Sequence, residues 1–178
     1  MTLTEAVVVR MSHDLAGAAG AFSNTIDLMK MDASFIGESI DLLDTSAHQL
    51  TARLAFFRAL FGAETKSISP ELVQRYLATL AIPVEFKGDI SSRLQLALVA
   101  VGLELLSVGG TLSLNDKNLT VKGKELHHNP SFAQILMGMQ MPCDPRTVMA
   151  DWLVQMAKER NLSVQLDSKD DQIIISLI

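Results

Sequence analysis

Ile36-Gly37-Glu38-Ser39-Ile40-Asp41-Leu42-Leu43-Asp44-Thr45-Ser46-Ala47-His48-Gln49-Leu50-Thr51-Ala52-Arg53-Leu54-Ala55-Phe56-Phe57-Arg58-Ala59-Leu60-Phe61 carries an unbroken apolar seam. Ile36, Ile40, Leu43, Ala47, Leu50, Leu54, Phe57 and Phe61 alternate steps of four and three, the heptad spacing of a helix with one packed stripe. Upstream, Met11, Leu15, Ala18, Phe22, Thr25 and Met29 keep the same alternation. Met31-Asp32-Ala33-Ser34 between the two runs is short enough to leave the helices antiparallel neighbours. Residues 1–62 are therefore expected to form a helical hairpin. Two helices bury little surface, and a long apolar stripe on a monomer marks an interface. A two-fold homodimer whose hairpins make a four-helix bundle meets both conditions.

On the first helix, His13 lies two residues from both Met11 and Leu15. Successive helical residues advance by about 100°, so its ring projects to the opposite side from the seam, into solvent. Gly17, Gly20 and Asn24 follow on the same face, with Ala16 beside them. Glycine inside a helix costs roughly 1 kcal/mol relative to alanine. Two readings account for the pair: close approach of a partner protein to His13, or relief of crowding along the helix.

Composition agrees with a folded protein and excludes several classes. The chain has 178 residues, enough for two domains with cores, with 48% hydrophobic and 20% charged residues. A formal net charge of −5 without a basic cluster argues against nucleic-acid or anionic-membrane binding. The N-terminus lacks the pattern of a signal peptide and no apolar run is long enough to span a bilayer, so a cytoplasmic protein is expected. The single Cys143 cannot form an internal disulfide, which suits a reducing compartment.

The pattern changes after Gly62. Ala63 to Ile68 is a short polar stretch, and Ser69-Pro70-Glu71 has the form of a helix start. A second domain over 69–178 follows. Its expected elements are a helix over 70–80, a strand over 82–86 with Pro83 near its start, and an apolar helix over 94–106 capped by Ser91 or Ser92. A hairpin over 111–114 and 119–121 comes next, then a loop or short helix around 130–139 and an amphipathic helix over 145–159. The chain ends in strands over 163–166 and 173–177, joined by a charged turn from Asp167 to Asp171. This half reads as α+β, with helices on one face of a mainly antiparallel sheet.

These residues resemble one family. His13-Asp14-Leu15 with Asn24 and Ile26-Asp27-Leu28 is similar to the H-box of histidine phosphotransferases of the ChpT type. Ser46-Ala47 and Ala52-Arg53-Leu54-Ala55-Phe56-Phe57-Arg58 through Gly62 resemble its SA...ARLRFFRLAFG segment, and Glu104 to Leu112 its EALPRGGTL segment. The resemblance implies a dimeric phosphorelay protein: a four-helix dimerisation bundle followed by a degenerate kinase-type ATPase-like domain. It implies that His13 is the phosphoacceptor, Asp14 its acidic neighbour, and the receiver domains of a hybrid kinase and of response regulators its partners, with Mg²⁺ on the receiver. Arg53 and Arg58 match conspicuous arginines of the family segment, and either a partner contact or an intra-bundle salt bridge fits them. Where the family has proline five residues after the histidine, this chain has Ala18, a departure that bears on the bend of the helix and on the balance between transfer and hydrolysis.

An ATP-binding kinase domain needs an asparagine-bearing helix for Mg²⁺, a D-x-G-x-G loop and a glycine-rich lid. The stretch 93–106 has no Asn, and between Val121 and Pro145 the glycines are Gly123 and Gly138. No bound cofactor and no ATP are expected, which disfavours an ATP-dependent histidine kinase. A non-catalytic adaptor that binds receivers or sigma-factor-type partners is the alternative to a phosphotransferase. His127-His128 with Cys143-Asp144 lack a compact metal-ligand spacing. His48 reads as a solvated polar residue. Met137, Met139 and Met141 are expected to pack a remodelled lid against the sheet, or to line a soft binding surface.

Overall fold

In the computed structural model, residues 1–62, 68–127, 129–169 and 171–178 are described. The polar stretch 63–67 expected at the domain boundary, His128, and residue 170 of the expected charged turn lie outside them.

α1 (Leu3–Met31) begins at a capping box: the Thr2 hydroxyl accepts the Glu5 amide, and the Glu5 carboxylate accepts the Thr2 amide. The helix runs through Ala18 without a break. A 3-10 turn (Ala33–Phe35) reverses the chain into α2 (Ile36–Phe61), the bounds the seam predicts. The helices meet along small side chains, Ala18 and Thr25 from α1 and Ser39 and Ser46 from α2, all buried. The α2 seam divides along its length. Leu43 and Leu50 are half-buried and Phe57 is buried, whereas Ile36, Ile40, Ala47 and Leu54 remain exposed.

The second half comprises α3 (Pro70–Leu77), β1 (Val84–Lys87), α4 (Arg93–Glu104), β2 (Gly110–Asn115), β3 (Asn118–Lys122), α5 (Pro130–Leu136), α6 (Val148–Lys158), β4 (Val164–Lys169) and β5 (Gln172–Leu177). The strands form one sheet in the order β1-β2-β3-β5-β4. β1 pairs parallel to β2, with Val84 opposite Gly110, and every other pair is antiparallel. A parallel neighbour requires a crossover, which α4 supplies. Leu112, Leu114, Leu119, Val121, Ile173 and Ile175 are buried on one face beneath α4. The other face carries Thr111, Ser113, Thr120, Lys122, Gln172 and Ser176, so the domain is a two-layer α+β structure with one wet sheet face. Gly109 has φ +105°, and a Cβ there would run into the Pro83 carbonyl where the chain turns into β2.

Several element ends differ from expectation, each for a local reason. α3 stops at Leu77 rather than 80. The Thr79 amide and hydroxyl both donate to the Tyr76 carbonyl at 2.9 and 2.7 Å, tight turns that unwind the helix ahead of Pro83. α6 starts at Val148 rather than 145, because Asp144 accepts the Arg146 amide on its side chain and the Thr147 amide on its carbonyl. Ser92, not Ser91, caps α4, in a capping box with Gln95. The charged segment expected as a turn pairs as strand as far as Lys169, with Asp167 opposite Ile174. On a wet sheet edge, charged residues are no signal of a turn. The methionine expectation holds only for Met141, which packs on the core. α5 ends at Leu136, Gly138 turns the chain at φ +85°, and Met137 and Met139 are exposed while Phe132, Ile135 and Leu136 take the buried places.

One core joins the two halves. Ala6 and Val7 of α1 and Phe56, Phe57 and Leu60 of α2 belong to the same buried cluster as the helices and sheet of the second half. Phe56 stacks on Tyr76 with ring centroids 4.0 Å apart, and Phe61 meets Trp152 edge-on at 5.0 Å. No helix among the described residues is long and apolar enough to cross a membrane.

Candidate functional site

α1 holds its seam against α2 and so turns His13 outward, its side chain 86% exposed. Ala16, Gly17, Gly20 and Asn24 share that exposed face. A Cβ added at Gly17 or Gly20 would meet nothing within 4 Å, so crowding inside the chain does not call for either glycine. The floor beside the imidazole is open to a partner.

His13 Nδ1 lies 3.2 Å from Asp14 Oδ1. A carboxylate only accepts, so Nδ1 carries the hydrogen, and in the neutral ring Nε2 keeps its lone pair. Asp14 is only 17% exposed and is held at both ends. Its Oδ2 accepts Arg10 Nε at 2.9 Å, and its backbone carbonyl accepts Arg53 Nη1 at 2.8 Å. Arg10 also donates through Nη2 to Glu104 Oε1, at 2.6 Å, at the C-terminal end of α4. Arg53 donates through Nη2 to the Thr79 carbonyl, at 3.0 Å, just past α3. Burial disfavours the Arg10 charge, but Glu104 and Asp14 outweigh it and raise its pKa. Burial raises the Glu104 carboxyl pKa, with Arg10 pulling the other way.

Arg53 therefore makes backbone hydrogen bonds where an intra-bundle salt bridge was one expectation. Both its terminal nitrogens donate within the chain, so it braces the His13-Asp14 turn of α1 against α2 and α3. Arg58 is exposed one turn further along α2. His48 is exposed beside Asp44, as a solvated residue should be. Cys143 sits half-buried against Asp151, and burial, together with that acid, pushes the thiol pKa up. Sequence reasoning missed Arg10 and Glu104. Arg10 stands four residues before Asp14, a legible helical pair. Glu104 opens the segment that resembles EALPRGGTL, but its place beside Arg10 had no local signal, because only the docking of α4 brings it there.

Residues 88–172 match the family model of the histidine phosphotransferase C-terminal domain. The chain is 22% identical to "Protein phosphotransferase ChpT" of Brucella abortus (strain 2308), an alignment that takes in 94% of this chain and 90% of that one. It also superposes on a solved bacterial phosphotransferase with a TM-score of 0.80 at 22% identity, covering 99% of this chain and 95% of the other, so the two share a fold. Residues 88–172 thus match the histidine phosphotransferase C-terminal domain, and nearly the whole chain is similar to a distant phosphotransferase of the ChpT type.

Proposed function

We propose that this chain carries phosphoryl groups on His13 between receiver domains, taking them from a hybrid histidine kinase and passing them to response regulators in a bacterial phosphorelay. The observation that carries this reading is the displayed imidazole with Nδ1 held by Asp14 and a glycine floor beside it. Nε2 attacks the phosphorus of a receiver's aspartyl phosphate, the P–O bond breaks, and its electron pair leaves on the receiver's carboxylate. As the ring gains positive charge, the Asp14 carboxylate stabilises the proton that stays on Nδ1. Mg²⁺ on the receiver offsets the charge of the moving phosphoryl group. The site of action is the cytoplasm. The test is single-turnover transfer from a panel of phosphorylated receivers from the same cell. Label on this chain is expected from at least one of them, and binding without transfer would favour the adaptor reading.

The chain acts as a homodimer. Ile36, Ile40 and Leu54 of α2, with Val8 and Phe22 of α1, leave an exposed apolar strip beside the intra-hairpin contact, where a second hairpin completes a four-helix bundle. The second domain binds no ATP. α4 has no Asn to hold Mg²⁺, and Gly123 and Gly138 stand in no phosphate-binding motif. Titration with Mg-ATP is expected to show no site tighter than about millimolar affinity, and a tighter site would overturn this part of the reading.

Gly17→Ala and Gly20→Ala separate docking from folding. Each should stabilise α1 by roughly 1 kcal/mol, since the added methyl meets open space. Each should also weaken receiver binding by placing that methyl on the docking face. A thermal melt and a receiver titration read the two effects, and unchanged receiver affinity would remove these glycines from the interface.

A further inference from the structure

We propose that Arg10 and Glu104 are positioning residues for phosphoryl transfer, and that Glu104, from the second domain, keeps the Asp14 carboxylate available to His13. The inference rests on the phosphotransfer reading and adds a role for the second domain in it.

Arg10 presents Nε and Nη2 side by side, the edge of a guanidinium that grips a carboxylate in two parallel bonds. In this structure that edge is divided. Nε takes Asp14 Oδ2, while Nη2 takes Glu104 Oε1. Asp14 Oδ1 is thereby left for the His13 ring. With Glu104 gone, Nη2 has the second oxygen of Asp14 as an acceptor, beside the one that Nε already holds. Arg10 then closes on Asp14 with both nitrogens and draws Oδ1 away from Nδ1. The Asp14 backbone cannot move to compensate, because Arg53 fixes its carbonyl against the Thr79 carbonyl. His13 is thus left with neither a fixed tautomer nor a carboxylate to stabilise the proton on Nδ1 during transfer.

The net reaction is unchanged: an N–P bond forms at Nε2, the receiver's P–O bond breaks with its electron pair going to the carboxylate, and the Nδ1 proton stays in place. Glu104 touches neither the phosphoryl group nor the ring. It acts through Arg10 and Asp14.

The experiment measures transfer from a phosphorylated receiver as a function of receiver concentration, in wild type, Glu104→Leu, Glu104→Gln, Asp14→Asn and the Asp14→Asn, Glu104→Leu double variant. Imidazole ¹⁵N shifts report the His13 tautomer in each. Glu104→Leu is expected to lower the limiting rate about tenfold, with half-saturation unchanged, and to shift His13 from the Nδ1–H tautomer to a mixture. Glu104→Gln keeps an oxygen for Nη2 and should retain most of the rate. On the Asp14→Asn background, Glu104→Leu should have no further effect. An equal loss with and without Asp14, a loss confined to half-saturation, or an unchanged tautomer in Glu104→Leu would overturn the proposal. Should the wild type take no label from any receiver, the phosphotransfer reading itself falls, and the tautomer shifts still report separately whether Glu104 positions the ring.

Discussion

His13→Gln is expected to take up no label from any phosphorylated receiver while it remains folded. In the proposed reading the imidazole displayed on α1 is the nucleophile, and a carboxamide nitrogen has no available lone pair with which to attack phosphorus. The change should leave stability within about 0.5 kcal/mol of wild type, because the side chain is exposed and its recorded bond is to the neighbouring Asp14. Glutamine retains an N–H that can donate to that carboxylate. Transfer assays and a urea melt of the same preparation check both halves, and residual transfer above background would move the phosphoacceptor elsewhere.

Phe56→Ala is expected to have the largest effect on folding. Phe56 is fully buried, stacks on Tyr76 and meets Phe57 edge-on, at the point where α2 enters the common core. Truncating a buried phenylalanine to alanine costs roughly 3–5 kcal/mol. The chain's single tyrosine reports the change. Burial is the main cause that pushes the Tyr76 phenol up to about 12 from the ordinary 10.0, with Asp14 and Glu104 adding to it. A raised folded-state pKa contributes stability below the unfolded value, so this contribution is lost as pH rises from 10.0 through about 12. In Phe56→Ala the ring beside Tyr76 is gone, water reaches the phenol, and its alkaline absorbance titration should fall back towards 10.0. A midpoint that stays near 12 would mean that Phe56 does not shield Tyr76.

The hairpin was legible because a long periodic seam and a short connection are local signals. α2 kept the predicted bounds Ile36–Phe61. The spacing of His13 from Met11 and Leu15 likewise gave its exposure. The parallel β1–β2 pair was not legible, because strand order depends on how α4 folds back over the sheet. Element ends at Leu77 and Val148 were set by side-chain bonds of Thr79 and Asp144 that periodicity does not encode. At the site, Arg53 looked like a partner contact or a bundle ion pair. Its use as a donor to two backbone carbonyls depends on the tertiary neighbourhood of Thr79. Glu104 was hidden for the same reason.

The shared core makes the molecule less modular than a bundle carrying an appended domain. Cut after Gly62, the hairpin would lose the surface that covers Ala6, Val7, Phe56, Phe57 and Leu60, and its open end would become an adhesive apolar patch. Selection for a folded hairpin alone is then enough to retain the second half, and it constrains how this protein can be shortened, fused or recombined.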